Sequence, residues 1–85
     1  VDASEIRERV LTVVSDMAPL KDTTVAPESM LREELGYDSL TLLELAAALE
    51  DEFRLPASAD LDAEVAETVL EVEDVVLSKI QALAG

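Results

Sequence analysis

Residues 35–53 read Leu35-Gly36-Tyr37-Asp38-Ser39-Leu40-Thr41-Leu42-Leu43-Glu44-Leu45-Ala46-Ala47-Ala48-Leu49-Glu50-Asp51-Glu52-Phe53, and the fold follows from how this stretch turns and then coils. Gly36 lacks a Cβ, so the chain can turn sharply there. Asp38 belongs to the residue types that accept hydrogen bonds from the free amides opening a helix, which makes it an N-cap. Ser39 then falls on the first turn with its hydroxyl outward, where the dipole and unpaired amides favour an anion. At about 100° per residue, Leu42, Leu45, Ala46, Leu49 and Phe53 gather on one side, the core face. Leu40, Leu43 and Ala47 gather on nearly the opposite side, with Glu44, Glu50 and Asp51 around them.

A helix packed in a small domain needs one apolar stripe. Single exposed leucines are ordinary, but two at helical spacing beside an outward serine form a patch. Rimmed with carboxylates, that patch predicts a docking surface for basic partners.

The chain has no histidine and no cysteine, so a Ser-His-Asp arrangement and a cysteine nucleophile are both impossible. Lys21 and Lys79 are the only lysines, and neither is near Ser39 in sequence. Ser39 is therefore read as a hydroxyl to be modified by another enzyme rather than as a catalyst. The plain alternative, a serine that merely assists the cap, is the common one for a helix start. The turn before Ser39 and the acidic amphipathic helix after it favour modification.

The run LGYDSLTLLELAAALEDEF resembles the modification site of acyl carrier proteins, whose signature is Asp-Ser-Leu at the start of an acidic second helix. The GYDSL-LLE-AA-LE pattern is most similar to the carrier proteins of aromatic (type II) polyketide synthases, over roughly Leu31 to Pro56. The resemblance implies that Ser39 carries a 4'-phosphopantetheine arm derived from coenzyme A, whose thiol holds an acyl chain as a thioester. It implies that Asp38 also helps hold a divalent metal in the complex with the phosphopantetheinyl transferase. It further implies that Leu40, Leu43, Glu44, Ala47, Glu50 and Asp51 meet basic patches on that transferase and on ketosynthase, acyltransferase and tailoring enzymes. The expected protein is a non-catalytic monomer. A peptidyl or D-alanyl carrier would present the same serine, and an unmodified acidic helical interaction module would present it without an arm. Two features depart from the family pattern: the segment after Pro56 is longer, and Thr41 stands where many fatty-acid carriers have an acidic residue.

The remaining sequence agrees with one small domain spanning residues 1–85. Its 85 residues bury a modest core. Apolar residues make up 49% of the chain, too many for a disordered acidic tail. There is no apolar run long enough to span a membrane and no signal-peptide core, which reads as cytoplasmic. A net charge of −14, from 20 acidic and 6 basic residues, argues against nucleic acid and anionic membranes as partners. Two aromatic residues and no histidine make stacking sites and most metal sites improbable. Asp60 and Asp62 suggest a calcium loop, but the sixth position from Asp60 is Val65 where an EF-hand needs glycine. They read as solvated surface charge, and no metal site is expected.

The expected architecture is all-α: an antiparallel four-helix bundle with a long first loop and a short third helix. Val1 to Ala18 holds the first helix, capped by Asp2 or Ser4, with Ile6, Val10, Val13, Val14 and Met17 as its stripe and Leu11 widening it. Pro19 ends it. Leu20 to Asp38 is the long connection, pinned by Val25, Met30, Leu31 and Leu35, with Pro27 opening a short helical turn through Leu31. Arg54-Leu55-Pro56 closes the second helix. Glu64 to Leu70 forms the short third helix or a helical turn, with Val65, Val69 and Leu70 inward. The last helix begins near Thr68, by the capping-box spacing to Glu71, or near Glu71 itself. It buries Val72, Val75, Val76, Ile80 and Leu83, with Lys79 the polar break. Ala46, Ala48 and the valine-rich last helix leave room for cargo between helices, although small residues more often mean close packing.

Overall fold

Three helices supply the regular structure of the computed structural model, which describes residues 2–20, 24–55 and 66–84. They are α1 (Ala3–Met17), α2 (Ser39–Glu52) and α3 (Val69–Ala84). Among the described residues there is no strand, only an isolated antiparallel bridge between Met30 and Thr68. The all-helical expectation holds.

Asp2 caps α1, its carboxylate accepting from the Ser4 amide at 2.9 Å. Ile6, Val10 and Val14 are buried at spacings of four, while Leu11, Val13 and Met17 pack half-buried at the edges of the stripe. The helix stops at Ala18, whose extended backbone (φ −59°, ψ 127°) is the geometry a following proline enforces.

The inward face of α2 is Leu42, Leu45, Ala46 and Leu49, as its periodicity predicts, with Phe53 half-buried just beyond. Each fully buried aliphatic side chain here contributes roughly 1.5–3 kcal/mol relative to exposure. Arg9 pairs with Glu52 at the end of α2 and stacks over Phe53, 4.8 Å from the ring centroid. Tyr37, just before α2, reaches Val14 near the end of α1. These two ties show that α1 and α2 run in opposite directions. A Schellman turn closes α2: the Leu55 amide donates to Glu50 O at 2.8 Å and the Arg54 amide to Asp51 O at 3.3 Å. Arg54 takes the left-handed conformation (φ 54°) at the position that favours glycine.

The second half departs from expectation. Ala66 and Glu67 carry no helix, Thr68 forms the bridge, and Val69 and Leu70 already belong to α3. The described residues thus hold three helices rather than four. Glu64, Val65, Asp60 and Asp62 lie outside them. The reason is where the backbone groups go. Leu31 N donates to Glu67 O at 2.9 Å, Val69 N to Ser29 O at 3.1 Å, and Leu70 N to Pro27 O at 2.8 Å. The first amides of α3, which a helix leaves unpaired, are thereby satisfied by the long loop. Thr68 accepts from the Glu71 amide at 3.3 Å, but Glu71 reaches back to the Glu67 amide instead of completing the box at Thr68.

The loop is pinned by fully buried Leu31 and Leu35, with Val25 and Met30 half-buried. Pro27 opens a turn closed by Ser29 N on Ala26 O at 3.0 Å, not a helical one; the helical-type turn follows at 31–35, with Glu34 N on Met30 O at 2.9 Å.

The inward face of α3 is also rotated from the expected one. It runs Val69, Val72, Glu73, Val76 and Leu77, with Ile80 half-buried. Val75 and Lys79 lie at its margin, and Leu70 (44% exposed) and Leu83 (56%) face out. A glutamate on the buried stripe is what sequence periodicity could not assign. Its carboxylate is tolerated because Arg7 on α1 donates to it at 2.9 Å, while the other guanidinium nitrogen donates to Asp74 at 2.9 Å.

Candidate functional site

The loop approaches α2 through Gly36, which adopts φ 81°. A Cβ there would lie 2.8 Å from Leu20 Cγ, so both the backbone and the close approach require glycine. The Leu20 amide, donating to Leu35 O at 3.1 Å, holds the two sides of this approach together. Tyr37 is buried, and its hydroxyl donates to Val14 O at 2.8 Å. Burial pushes that hydroxyl's pKa up to about 12.

Asp38 then caps α2 as expected. Its carboxylate accepts from the Thr41 amide at 2.9 Å, and the Thr41 hydroxyl accepts from the Asp38 amide at 2.7 Å. The same hydroxyl lies 2.9 Å from the Asp38 carboxylate. Threonine thus completes a capping box in the place of the usual Glu or Gln. The Thr41 amide, and next its hydroxyl, hold the Asp38 carboxyl below the usual carboxylate range. An acidic residue at this position would put another charge here; Thr41 supplies a neutral cap partner.

Ser39 is the first residue of α2, exposed and outside this capping network. Its Oγ accepts from the Arg32 guanidinium, with Nη2 at 3.5 Å, the long end of a hydrogen bond. Along the solvent side of α2, Leu40 is 65% and Leu43 56% exposed. Glu44, Ala47 and Asp51 are exposed with them, and Glu50 is half-buried. Ala46 is buried within the core and Ala48 half-buried.

Three contributors escaped sequence reasoning. Tyr37 offered a signal, being a large aromatic in a loop. Thr41 stood three residues after the cap, the capping-box spacing. Arg32, seven residues before Ser39, offered none, because only the turn at 31–35 brings it near.

Comparison with known families agrees with this geometry. The model of the phosphopantetheine attachment site matches residues 8–76, and the chain belongs to that family. It is a carrier for a covalently attached 4'-phosphopantetheine. Carrier domains of this family are non-catalytic and interact with a phosphopantetheinyl transferase and with synthase enzymes. The exposed hydroxyl, the cap and the adjacent cation suit such a group. No helix among the described residues is long and apolar enough to cross a membrane.

Proposed function

We propose that Ser39 is the attachment point of the arm and that residues 1–85 act as one carrier domain for acyl intermediates, most closely those of polyketide synthesis. The observation that carries the assignment is the division of labour at the start of α2. Asp38 and Thr41 satisfy the cap between them, which leaves the Ser39 hydroxyl exposed and outside the cap. In the attachment step Ser39 Oγ bonds to the phosphorus that bears the pantetheine of coenzyme A. The pyrophosphate bond breaks, adenosine 3',5'-bisphosphate leaves, and the serine proton passes to the transferase. Asp38, whose cap contacts favour its ionised form, would offer a carboxylate to a metal held by the transferase. The arm supplies a thiol for thioester chemistry, and this cysteine-free chain has no thiol to compete with it.

The polyketide reading rests on the GYDSL-LLE-AA-LE pattern. The outward side of α2, with Leu40, Leu43 and Ala47 among Glu44, Glu50 and Asp51, is the face that meets basic patches on the transferase, ketosynthase, acyltransferase and tailoring enzymes. The same reading puts the chain in the cytoplasm, with its coenzyme A donor. Intact mass after incubation with coenzyme A and a broad-specificity phosphopantetheinyl transferase tests the attachment. The native chain gains the phosphopantetheine mass, and Ser39→Ala does not while keeping its helical circular dichroism. An Ala variant that still gains the mass overturns the assignment.

A further inference from the structure

Resting on Ser39 as the attachment point, we infer that Arg32 is the counter-ion of the arm's phosphodiester and fixes the direction in which the arm leaves the protein. The charge balance at this end of the molecule is the starting point. The chain carries a net charge of −14, and Asp38, adjacent to Ser39, is an ionised cap. Attachment adds a further negative charge, carried by the non-bridging oxygens of the phosphodiester bonded to Ser39 Oγ. Like charges this close repel through a few ångströms of solvent-exposed protein surface.

Arg32 answers that charge. Its Nη2 lies 3.5 Å from Ser39 Oγ, the atom that becomes a bridging oxygen of the phosphodiester. The non-bridging oxygens would lie two bonds from Oγ, through the phosphorus, within reach of the same guanidinium. Arg32 is exposed and forms no ion pair among the described residues, whereas Arg7 and Arg9 are held by Glu73, Asp74 and Glu52. Its backbone is fixed between buried Leu31 and the 31–35 turn, with Leu31 N on Glu67 O at 2.9 Å. The fork of a guanidinium matches two phosphate oxygens at once, which an ammonium does not. Arg32 is a positioning residue: it holds the proximal end of the arm to the loop side of α2.

The test uses the modified protein and reads the phosphate directly. Native chain, Arg32→Gln, Arg32→Lys and, as a charge control at the opposite end of α2, Arg54→Gln are each converted with coenzyme A and checked by intact mass. Phosphorus NMR of the modified chains and melting temperatures before and after attachment are then compared at low and high salt. Arg32→Gln moves the phosphodiester resonance and Arg54→Gln leaves it in place. At low salt, attachment lowers the melting temperature of Arg32→Gln by about 2–4 °C more than that of the native chain, and the excess disappears at high salt. Arg32→Lys falls between. An unmoved resonance together with equal melting shifts in native and Arg32→Gln chains overturns the role of Arg32 alone. A native chain that gains no mass overturns the attachment reading, and this inference with it.

Discussion

The Tyr37 hydroxyl donates to the Val14 carbonyl across 2.8 Å, fastening the loop that delivers Ser39 to a helix 23 residues earlier in the chain. The proposed attachment point lies two positions after this anchor, with only Asp38 between them. Tyr37 therefore links the core of α1 to the position of the α2 start, and it follows Gly36, where Leu20 and Pro19 leave no room for a side chain.

Removing the hydroxyl should cost about 1 kcal/mol, the net worth of a typical hydrogen bond, and the loss should depend on pH. Burial raises the folded-state pKa of Tyr37 from near 10 to about 12. A raised acid pKa means that the folded state holds its proton more tightly than the unfolded chain. Its contribution to stability is thus complete below pH 10 and is lost as pH rises through 12. Urea melts from neutrality to strong alkali should show a steeper alkaline decline for the native chain than for Tyr37→Phe. Parallel curves would mean that the hydroxyl is not sequestered.

Glu73 and Arg7 allow a prediction of asymmetry. Glu73 has a side chain 3% exposed, and that of Arg7 is 37% exposed. Truncating the arginine leaves a buried carboxylate unpaired, whereas neutralising the glutamate leaves Arg7 free to find Asp74 and water. Arg7→Leu should lose the more stability by leaving Glu73 unpaired, though less than a wholly buried pair would because one side is open. Glu73→Gln should lose less than half as much. Chemical denaturation of the two variants and the double variant checks the order. Equal losses would show that the pair is no more than a surface contact.

The core face of α2 and the cap at Asp38 were legible because both are local: a 3.6-residue period and a residue type at a helix boundary. The start of α3 was legible for the same reason, through Thr68 and its spacing to Glu71. Its facing was not. Glu73 is buried only because a residue of α1 neutralises it, and no local pattern encodes a partner 66 residues away. Pro27 likewise fits a helical turn locally, yet Leu70 and Val69 draw the carbonyls of Pro27 and Ser29 to the start of α3. Exposed Ser39 could be read directly, whereas Arg32 beside it depends on the fold of the intervening turn.

Arg54 offers a stabilising substitution. It occupies the left-handed position of the Schellman turn at φ 54°, where an L-residue with a Cβ is strained by roughly 1–2 kcal/mol. Glycine relieves that strain and gives part of it back through greater unfolded-state freedom. Arg54→Gly should gain about 0.5–1 kcal/mol and raise the melting temperature by a few degrees. Arg54→Ala removes the charge and keeps the Cβ, so it separates the backbone effect from the electrostatic one. If alanine stabilises as much as glycine, the gain comes from the charge and the strain argument fails.

The proposed docking face divides into two components expected to respond differently to salt. Leu40 and Leu43 are exposed by 65% and 56%, and nothing in the fold of the described residues uses their side chains. A basic enzyme surface that covers them gains apolar burial and Coulomb attraction to Glu44, Glu50 and Asp51 at once. Apolar burial is insensitive to moderate salt, whereas charges at a protein surface are screened over roughly 8 Å at physiological ionic strength. Leu43→Ala should weaken binding to the transferase by about tenfold, the value of losing most of one buried leucine at a contact centre. That loss should be the same at low and high salt. Glu44→Lys with Glu50→Lys should weaken binding more at low salt, mainly through a slower association rate, and converge towards the native chain as salt rises. Glu44 is exposed and Glu50 half-buried, so circular dichroism and melting of the double variant must first establish that α2 is intact. Binding kinetics across a salt series then decide. A salt-independent loss for the charge variant, or no loss for Leu43→Ala, would place the docking surface elsewhere on the molecule.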